Sequence, residues 1–416
     1  MTGAEAGTET RLETETVMTR IAETNEETKT PTSITHDYIS DHKLVNLQIA
    51  NHHSHHHQKV NGVIRQKRPR EASSLNRSEI NKYQDVNISG KCSETFKGHK
   101  SNLGDLSLHN SIDNKADKRH VPSVPMKILD APGLKDDYYL NLIDWNTTNL
   151  IAIALSNVVY VWLPESEAFE AIKVESDYVS SVAWIKDRNN LALGTSAGDV
   201  QLWDVETKKR IRNMQGHSSM VGSLSWNDYI LSSGSKFGSI HHHDVRIAQH
   251  HVGTLCGHTS QVCSLKWSPN GRFLASGGND GLLNIWPNAP GAGVRTVPHR
   301  TIDNRQSAVK AINWCPWQPG ILAVGGGMKD GHLRIWDTKT GSCVNDVDTK
   351  SQICSLIWLP KYKELVTGHG FPSNQVSVWT YPSLSKSTEL KGHTGRVLHL
   401  AHSPDGRTLV SLAADE

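Results

Sequence analysis

Residues 257–286 read GHTSQVCSLKWSPNGRFLASGGNDGLLNIW, and this stretch decides the fold. It opens with a Gly-His pair, reaches Trp267 after an apolar run, turns at Asn279-Asp280-Gly281 and ends at Trp286. Short alternating runs separated by Asn, Asp and Gly turn residues are typical of antiparallel β-strands. The stretch therefore predicts a unit of short strands joined by tight turns.

The same unit recurs along the chain from residue 138 onward. A tryptophan ends an apolar run at intervals of roughly 40 to 47 residues, and one further interval ends at His402. The tryptophans of this first series are Trp145, Trp184, Trp226, Trp267, Trp314 and Trp358. A second series follows in phase at Trp162, Trp203, His243, Trp286, Trp336 and Trp379. This period, with its Gly-His openings, is the signature of WD repeats, which build the four-stranded blades of a β-propeller.

The repeat count predicts the architecture. Seven units fit between residues 126 and 416, so the sequence predicts an all-β chain with a seven-bladed WD-repeat β-propeller at 126–416. The seventh unit stops at Asp415-Glu416, where the other units continue into a further strand. The last blade is therefore expected to be incomplete. A propeller indicates a rigid ring of binding loops and leaves the chemistry open.

The first 125 residues have a different composition. They contain none of the twelve tryptophans, and residues 1–30 are rich in Thr and Glu. Residues 59–70 carry five basic side chains and no acidic one. Such a segment cannot bury enough apolar surface to offset the chain entropy lost on folding. The sequence predicts a long disordered N-terminal tail at 1–125.

Composition also excludes several classes of function. The chain has 44 Lys and Arg against 42 Asp and Glu, a net charge of +2, so a basic coat for nucleic acid is not indicated. No apolar run is long enough to span a membrane. The six cysteines lack CxxC spacing, and no phosphate loop or supported catalytic triad is present. We expect a protein that is not an enzyme and binds no cofactor.

Two histidine runs are candidates for metal sites. Residues 52–57 read HHSHHH, which is more typical of a low-complexity polar tract. The run His241-His242-His243 is predicted to lie in a strand, where alternation puts His242 on the opposite face from its two neighbours. Coordination of one ion by all three of these histidines is therefore not expected, and the sequence predicts no metal site.

Strings much longer than the WD signature carry a family resemblance. They include LDAP at 129–132, DYYLNLIDW at 137–145, HHHDVR at 241–246, WCPWQP at 314–319 and GHTGRV at 392–397. These strings resemble the Fizzy / cell-division-cycle-twenty family of WD-repeat activators of the anaphase-promoting complex. The resemblance covers roughly residues 126–416. It implies a diverged or C-terminally truncated member that selects substrates for this ubiquitin ligase by binding destruction-box and KEN degrons.

The resemblance implies a receptor for destruction-box peptides of the Arg-x-x-Leu type. The matching acidic positions are Asp130 and Glu416, because a planar guanidinium is best held by carboxylates. The peptide leucine would enter an apolar slot between the first and last blades, near Tyr160. From the residues alone, Asp130 reads as a turn residue before Ala131-Pro132.

The resemblance also implies a KEN-box receptor, which needs an acid, a base and amide partners. The matching positions are Asp137, Tyr138, Asn279, Gln352 and Arg396. Without the resemblance, Asn279 reads as part of a tight turn and Arg396 as a solvated loop charge. Met328 follows the glycines at 325–327, where the family has a hydroxyl residue, so one hydrogen-bonding group is missing.

The match weakens in the tail. A degenerate C-box near 36–43 keeps Tyr38 and Ile39, while Asp37 and His42 stand where the family has arginines. Docking on the ligase is expected to be weakened by this loss of basic charge. The alternative is a diverged paralogue that keeps a protein-binding propeller but does not activate the ligase.

The implied partners are anaphase-promoting complex subunits and degron-bearing substrates such as cyclins and securin. Spindle-checkpoint proteins are a further candidate, whereas nucleic acid and membranes are not expected. The unpaired cysteines and the basic stretch at 65–70 indicate residence in the cytoplasm and nucleus.

Overall fold

The computed structural model describes residues 46–51 and 121–415, apart from 167, 290, 292, 304 and 305. All described residues belong to one compact unit. The regular elements of this part are all β-strands. Within it, no helix has the length and apolar character needed to cross a membrane.

The first three sheets follow one another along the chain. Two N-terminal strands, β1 (Asn46–Asn51) and β2 (Lys127–Asp130), precede them and belong to the last sheet. The first sheet holds β3 (Ile143–Trp145), β4 (Ile151–Leu155), β5 (Val158–Leu163) and β6 (Ala168–Lys173). The second holds β7 (Val179–Trp184), β8 (Asn190–Thr195), β9 (Val200–Asp204) and β10 (Lys209–Met214). The third holds β11 (Val221–Asn227), β12 (Ile230–Ser235), β13 (Ser239–Asp244) and β14 (His251–Cys256).

The remaining sheets repeat the pattern. The fourth holds β15 (Val262–Trp267), β16 (Phe273–Gly278), β17 (Leu282–Pro287) and, after β18 (Gly293–Arg295) has joined β14 in parallel, β19 (Arg300–Asp303). The fifth holds β20 (Val309–Trp314), β21 (Ile321–Gly326), β22 (His332–Asp337) and β23 (Ser342–Asp348). The sixth holds β24 (Ile353–Leu359), β25 (Glu364–His369), β26 (Val376–Thr380) and β27 (Ser385–Leu390). The last repeat contributes β28 (Val397–His402) and β29 (Thr408–Ala413).

The last sheet takes strands from both sides of the described chain. Its order is β2-β1-β29-β28, with Leu47 of β1 opposite Leu412 of β29 and Asn46 opposite Asp130 of β2. The incomplete last repeat thus gains a third and a fourth strand from upstream, and the backbone groups along β29 are paired. The tail boundary differs from the prediction here, because residues 46–51 were assigned to the tail and form a strand of the propeller. The prediction of disorder for the rest of 1–120 lies outside the described residues.

Contacts between sheets run in a circle. The first strand of each sheet contacts the first strand of the next, from β3 through β7, β11, β15, β20 and β24 to β28, and β28 contacts β3. This arrangement confirms the all-β WD-repeat propeller predicted from the repeats.

Two residue types of the repeat hold neighbouring sheets together. A Cβ added to Gly277 of β16 would collide with the carbonyl oxygen of Val309 in the next sheet, so a side chain there would push the sheets apart. The Trp314 indole Nε1–H donates to the Lys266 carbonyl of the preceding sheet at 2.8 Å. Equivalent close approaches or indole bonds occur at Gly194, Gly234, Gly325, Gly368, Trp184, Trp226 and Trp358. Most tryptophans of the first series therefore join adjacent sheets, whereas the Trp145 indole donates to Asn149 of its own repeat.

Candidate functional site

The predicted KEN-box positions all lie at one end of the strands. Asp137 and Tyr138 precede β3, Gln352 precedes β24 and Arg396 precedes β28, whereas Asn279 follows β16. In an antiparallel sheet the first strand begins where the second strand ends, so these positions share one face of the ring. The structure therefore gathers residues from four separate repeats on that face.

Tyr139 connects two of the predicted residues. Its hydroxyl donates to Asn279 Oδ1 at 2.9 Å, and its backbone N–H donates to Asp137 Oδ1 at 2.8 Å. Tyr138 is buried instead, and its hydroxyl donates to the Ile353 carbonyl at 3.4 Å. The half-exposed aromatic ring of this face is thus that of Tyr139, which the sequence analysis did not single out as a site residue. The two rings are adjacent in sequence and lie edge to face. The Tyr-Tyr pair in the sequence does not by itself indicate which of the two rings is exposed.

Arg396 pairs with an acid that the sequence analysis also missed. Its Nε–H donates to Asp136 Oδ1 at 3.1 Å, and its Nη2 bonds the same carboxylate and the Asp136 carbonyl. Asp137, the predicted acid, lies next to this ion pair in sequence and contacts Tyr139. The consecutive acids Asp136 and Asp137 were the sequence signal for this ion pair. One carboxylate can neutralise Arg396 while the other does not bond to it.

Gln352 offers an unused acceptor at the same face. Its side chain is buried, and its Oε1 has no hydrogen-bond partner. Burying an amide oxygen without a donor costs about 1–3 kcal/mol, so a ligand N–H reaching this atom would recover that free energy. The Gly370 Cα lies against it, because a Cβ added there would approach Oε1 to 2.6 Å. Because Gly370 has no side chain, it leaves space beside the Gln352 amide.

A charged group lies deeper, where the first strands surround the axis of the ring. Lys310 of β20 is buried, its Nζ donates to the Leu398 carbonyl at 3.2 Å and lies 5.2 Å from the Tyr138 ring centroid. Burial lowers the pKa of Lys310 to about 8 and raises the pKa of Cys354 to about 11. Lys310, Cys354 and His399 line a cavity of about 100 Å³. The sequence analysis missed this lysine because it stands among apolar residues of a strand.

Two of the predicted destruction-box positions, Asp130 and Tyr160, lie at the seam between the last and first sheets. Asp130 ends β2 and is exposed, whereas Tyr160 lies in β5 and packs in an apolar cluster that joins the two sheets. Members of this cluster include Leu129 of β2, Leu412 of β29 and Ile153 of β4. Further along the seam is a cleft of about 480 Å³, lined by Trp145, Trp162 and Lys127 among others and not by Tyr160.

Three predicted site residues cannot be placed. Glu416, assigned to the destruction-box receptor, and Tyr38 and Ile39 of the degenerate C-box lie outside the described residues. Met328 is described and is 62% exposed, so this position is open to solvent. Its side chain does not supply the hydroxyl group that the family has there.

The fold and the polar cluster define a WD-repeat β-propeller with a binding face built from loops of several repeats. Residues 129–416 match the CDC20/Fizzy WD40 domain, and the chain belongs to this family. This is the family that the strings quoted above resemble.

The relatives are similar over the propeller. The chain is 51% identical over 301 residues to "Anaphase-promoting complex subunit cdc20" of Dictyostelium discoideum, covering 72% of this chain and 60% of that protein. It is 48% identical over 303 residues to "WD repeat-containing protein slp1" of Schizosaccharomyces pombe, covering 72% and 61%. It is 45% identical over 316 residues to "Cell division cycle 20.1, cofactor of APC complex" of Arabidopsis thaliana, covering 74% and 69%. The chain thus spans less than two thirds of the length of the first two relatives.

One solved structure is similar to most of the propeller. A chain from "Crystal Structure of Mitotic Checkpoint Complex" is 45% identical in sequence and superposes with a TM-score of 0.66. The match covers 71% of this chain and 96% of that one.

Proposed function

We propose that this protein is a substrate-recognition adaptor and activator of the anaphase-promoting complex, which binds destruction-box and KEN degrons on its propeller. Membership of the CDC20/Fizzy family supports this role, as do relatives whose names describe a subunit or a cofactor of that complex. Its partners are subunits of the ligase and degron-bearing substrates such as cyclins and securin. Similarity to a chain of the mitotic checkpoint complex supports spindle-checkpoint proteins as further partners.

The protein acts by binding and has no catalytic activity of its own. Its propeller comprises residues 126–416 with strand β1 added, and the seven sheets are seven blades of one ring. Tyr38 and Ile39 belong to the segment that docks on the ligase, and the protein works in the cytoplasm and the nucleus.

One observation carries the proposal: the face of the ring that bears Asn279 also bears groups complementary to a KEN peptide. A KEN peptide presents an ammonium, a carboxylate and a carboxamide in three consecutive residues. Asp137 suits the lysine, Arg396 suits the glutamate, and Asn279 with the unpaired Gln352 Oε1 suits the asparagine. These groups share one side of the ring with the half-exposed Tyr139 ring.

The destruction-box site is proposed at the seam of the last and first sheets. Asp130 holds the peptide arginine together with Glu416, and the apolar cluster around Tyr160 accepts the leucine. A carboxylate at the rim of an apolar surface suits a peptide whose arginine and leucine are three residues apart.

Peptide binding tests the KEN site. Fluorescence anisotropy with a labelled KEN peptide should give saturable binding to the full chain, and Arg396→Ala should weaken it at least about tenfold, because a charge pair is lost. Arg407→Ala is the matched control, since Arg407 is an exposed arginine of the same sheet that, within the described residues, pairs with its neighbour Asp405. Equal loss in both variants, or no binding by the parent chain, would refute the site.

A second assay separates the two functional alternatives. Asp130→Ala should weaken a destruction-box peptide, whereas Glu175→Ala, an exposed acid before the second sheet, should not. Addition of the chain to purified anaphase-promoting complex should then stimulate ubiquitination of a destruction-box substrate. Peptide binding without stimulation would instead identify a paralogue that keeps the propeller but does not activate the ligase.

A further inference from the structure

Three histidine side chains meet inside the third sheet. His241 and His243 lie on β13 and are buried, and His217, which precedes β11, is partly buried beside them. One ring nitrogen from each lies within 4.8 Å of the others. The sequence analysis considered only the consecutive histidines, of which alternation leaves two on one face. The fold supplies the third from 24 residues upstream, through the loop that opens the repeat.

The Ser233 hydroxyl limits where the protons of the His217 and His243 rings can lie. Its Oγ lies 2.7 Å from His217 Nε2 and 2.9 Å from His243 Nε2. A serine hydroxyl has a single proton, so at least one of these rings must donate its own Nε2–H to Oγ. In a neutral imidazole the Nδ1 of that ring is then unprotonated; His217 Nδ1 lies 3.3 Å from the Ser239 hydroxyl, and His243 Nδ1 lies beside His250. A hydrogen bond on one ring nitrogen that frees the other is the usual preparation of a metal-binding histidine.

His241 provides an independent observation. It is 8% exposed, and its Nδ1 is buried without a hydrogen-bond partner. Its ring stacks on that of His217 with centroids 3.8 Å apart. An imidazole nitrogen left unsatisfied beside two other imidazoles has no stabilising contact within the described chain, whereas a cation would provide one.

The cluster extends toward the surface. His243 Nδ1 lies 3.0 Å from Nδ1 of the half-buried His250, so a proton or an ion must stand between the two lone pairs.

We propose that His217, His241 and His243 form a binding site for a divalent transition-metal ion such as Zn²⁺, with His250 nearest the fourth coordination position. Imidazole is a preferred ligand of zinc, and three protein ligands with an open fourth position are a common zinc arrangement. Zinc–nitrogen bonds of about 2.0–2.1 Å bring ligand nitrogens to roughly 3.3 Å from one another. The rings must therefore approach by about 1–1.5 Å, and one ring of the stacked pair must turn.

The experiment must remove the competing histidines at 52–57. The parent is the full chain with those five histidines changed to serine and purified without a histidine tag. Metal content is measured after equilibration with Zn²⁺ and dialysis, together with the shift in Tm on adding Zn²⁺. His241→Gln is the test variant, because Ser233 remains bonded to His217 and His243. His242→Gln is the matched control, since His242 lies on the opposite face and bonds Ser232.

We expect one zinc per parent chain and per His242→Gln chain, none in His241→Gln, and a rise in Tm with Zn²⁺ that only His241→Gln lacks. Equal zinc in all three proteins, or none in the parent, would overturn the site. The Co²⁺-substituted parent provides a readout that needs no variant, should His241→Gln fail to fold. A tetrahedral visible spectrum without a thiolate charge-transfer band supports a histidine site, and a spectrum of hydrated Co²⁺ alone overturns it.

Discussion

The third and fourth sheets carry the same structural motif with two residues exchanged, His243 for Trp286 and Phe237 for Asp280. In the fourth sheet, Ser276 Oγ accepts the Trp286 indole N–H at 2.9 Å and lies 2.8 Å from His258 Nε2, while Asp280 is 3.1 Å from His258 Nδ1. In the third sheet, Ser233 bonds two histidines, because His243 stands in the position of the tryptophan.

The comparison separates two roles of the tryptophan. Its hydrogen bond to the serine survives the exchange, since His243 reaches Ser233 at 2.9 Å. Its bulk does not survive, because an imidazole is much smaller than an indole and leaves room for His241 and His250. The indole nitrogen is only a donor, whereas an imidazole also has a lone pair. In the fourth sheet the indole therefore adds no further hydrogen-bond acceptor, whereas in the third sheet the imidazole of His243 adds a nitrogen lone pair that can accept a hydrogen bond.

The largest effect is expected from removing the bulk in the fourth sheet. Trp286→Ala should lower the free energy of unfolding by about 3–5 kcal/mol, because the indole is fully buried in the apolar cluster of that sheet. His243→Ala removes a smaller ring and should cost less. Urea denaturation of both variants measures the difference. A larger loss for His243→Ala would show that the histidine cluster, rather than the tryptophan, is the main support of its sheet.

Removing the shared serine should affect both sheets alike. Ser276→Ala removes hydrogen bonds to Trp286 Nε1 and His258 Nε2, and Ser233→Ala removes hydrogen bonds to two histidines. Each variant should lose about 1–3 kcal/mol of unfolding free energy. If only one of the two variants lost unfolding free energy in the same urea denaturation assay, the comparison between the sheets would be contradicted.

Removing the acid should affect only the fourth sheet. Asp280→Asn weakens bonds to His258 and to the Thr259 backbone N–H, which Asp280 Oδ2 accepts at 2.8 Å. Because the carboxylate bonds are charge-assisted, we expect a loss of about 1–2 kcal/mol. The exposed turn substitution Asp405→Asn is the control, and its loss should be smaller. Equal losses would indicate that Asp280 acts only through its turn.

The smallest effect is a pH dependence from the same carboxyl. Burial alone would raise the pKa of Asp280, but hydrogen bonds from His258, Thr259 and Leu282 outweigh it and hold the pKa below its usual range. The unfolded chain then binds this proton more readily, so the stability that Asp280 contributes is present above about pH 4 and is lost as pH falls through the folded-state pKa. The difference in Tm between the parent and Asp280→Asn should shrink over that window. A constant difference would contradict the assignment.

The sequence predicted what repeats locally and missed what the fold brings together. The tryptophan series predicted the propeller, because it recurs at the same place in each repeat, where tryptophans such as Trp314 and Trp358 join one sheet to the preceding one. The pairing of β1 with β29 was missed, since residues 46–51 have no repeat signature of their own and their partner is far away in sequence.

The site shows the same division. Asp137, Asn279 and Arg396 were matched to motif strings, and the structure puts them on one face. Asp136 and Tyr139 were passed over in favour of their neighbours, because a sequence does not say which of two adjacent side chains turns outward. The role of His217 depended on a neighbour brought in by strand pairing, which single-strand alternation cannot supply.

The closing sheet has a consequence for how the protein folds. Leu47 pairs with Leu412, so ring closure joins residues separated by most of the chain. Such contacts add little extra cost in equilibrium loop entropy, which grows only with the logarithm of length, but they slow folding strongly. During synthesis, β29 emerges long after β1 and presents an open strand edge until the two meet. The step that completes the ring is therefore also the step at which the chain is most exposed to pairing with a second molecule.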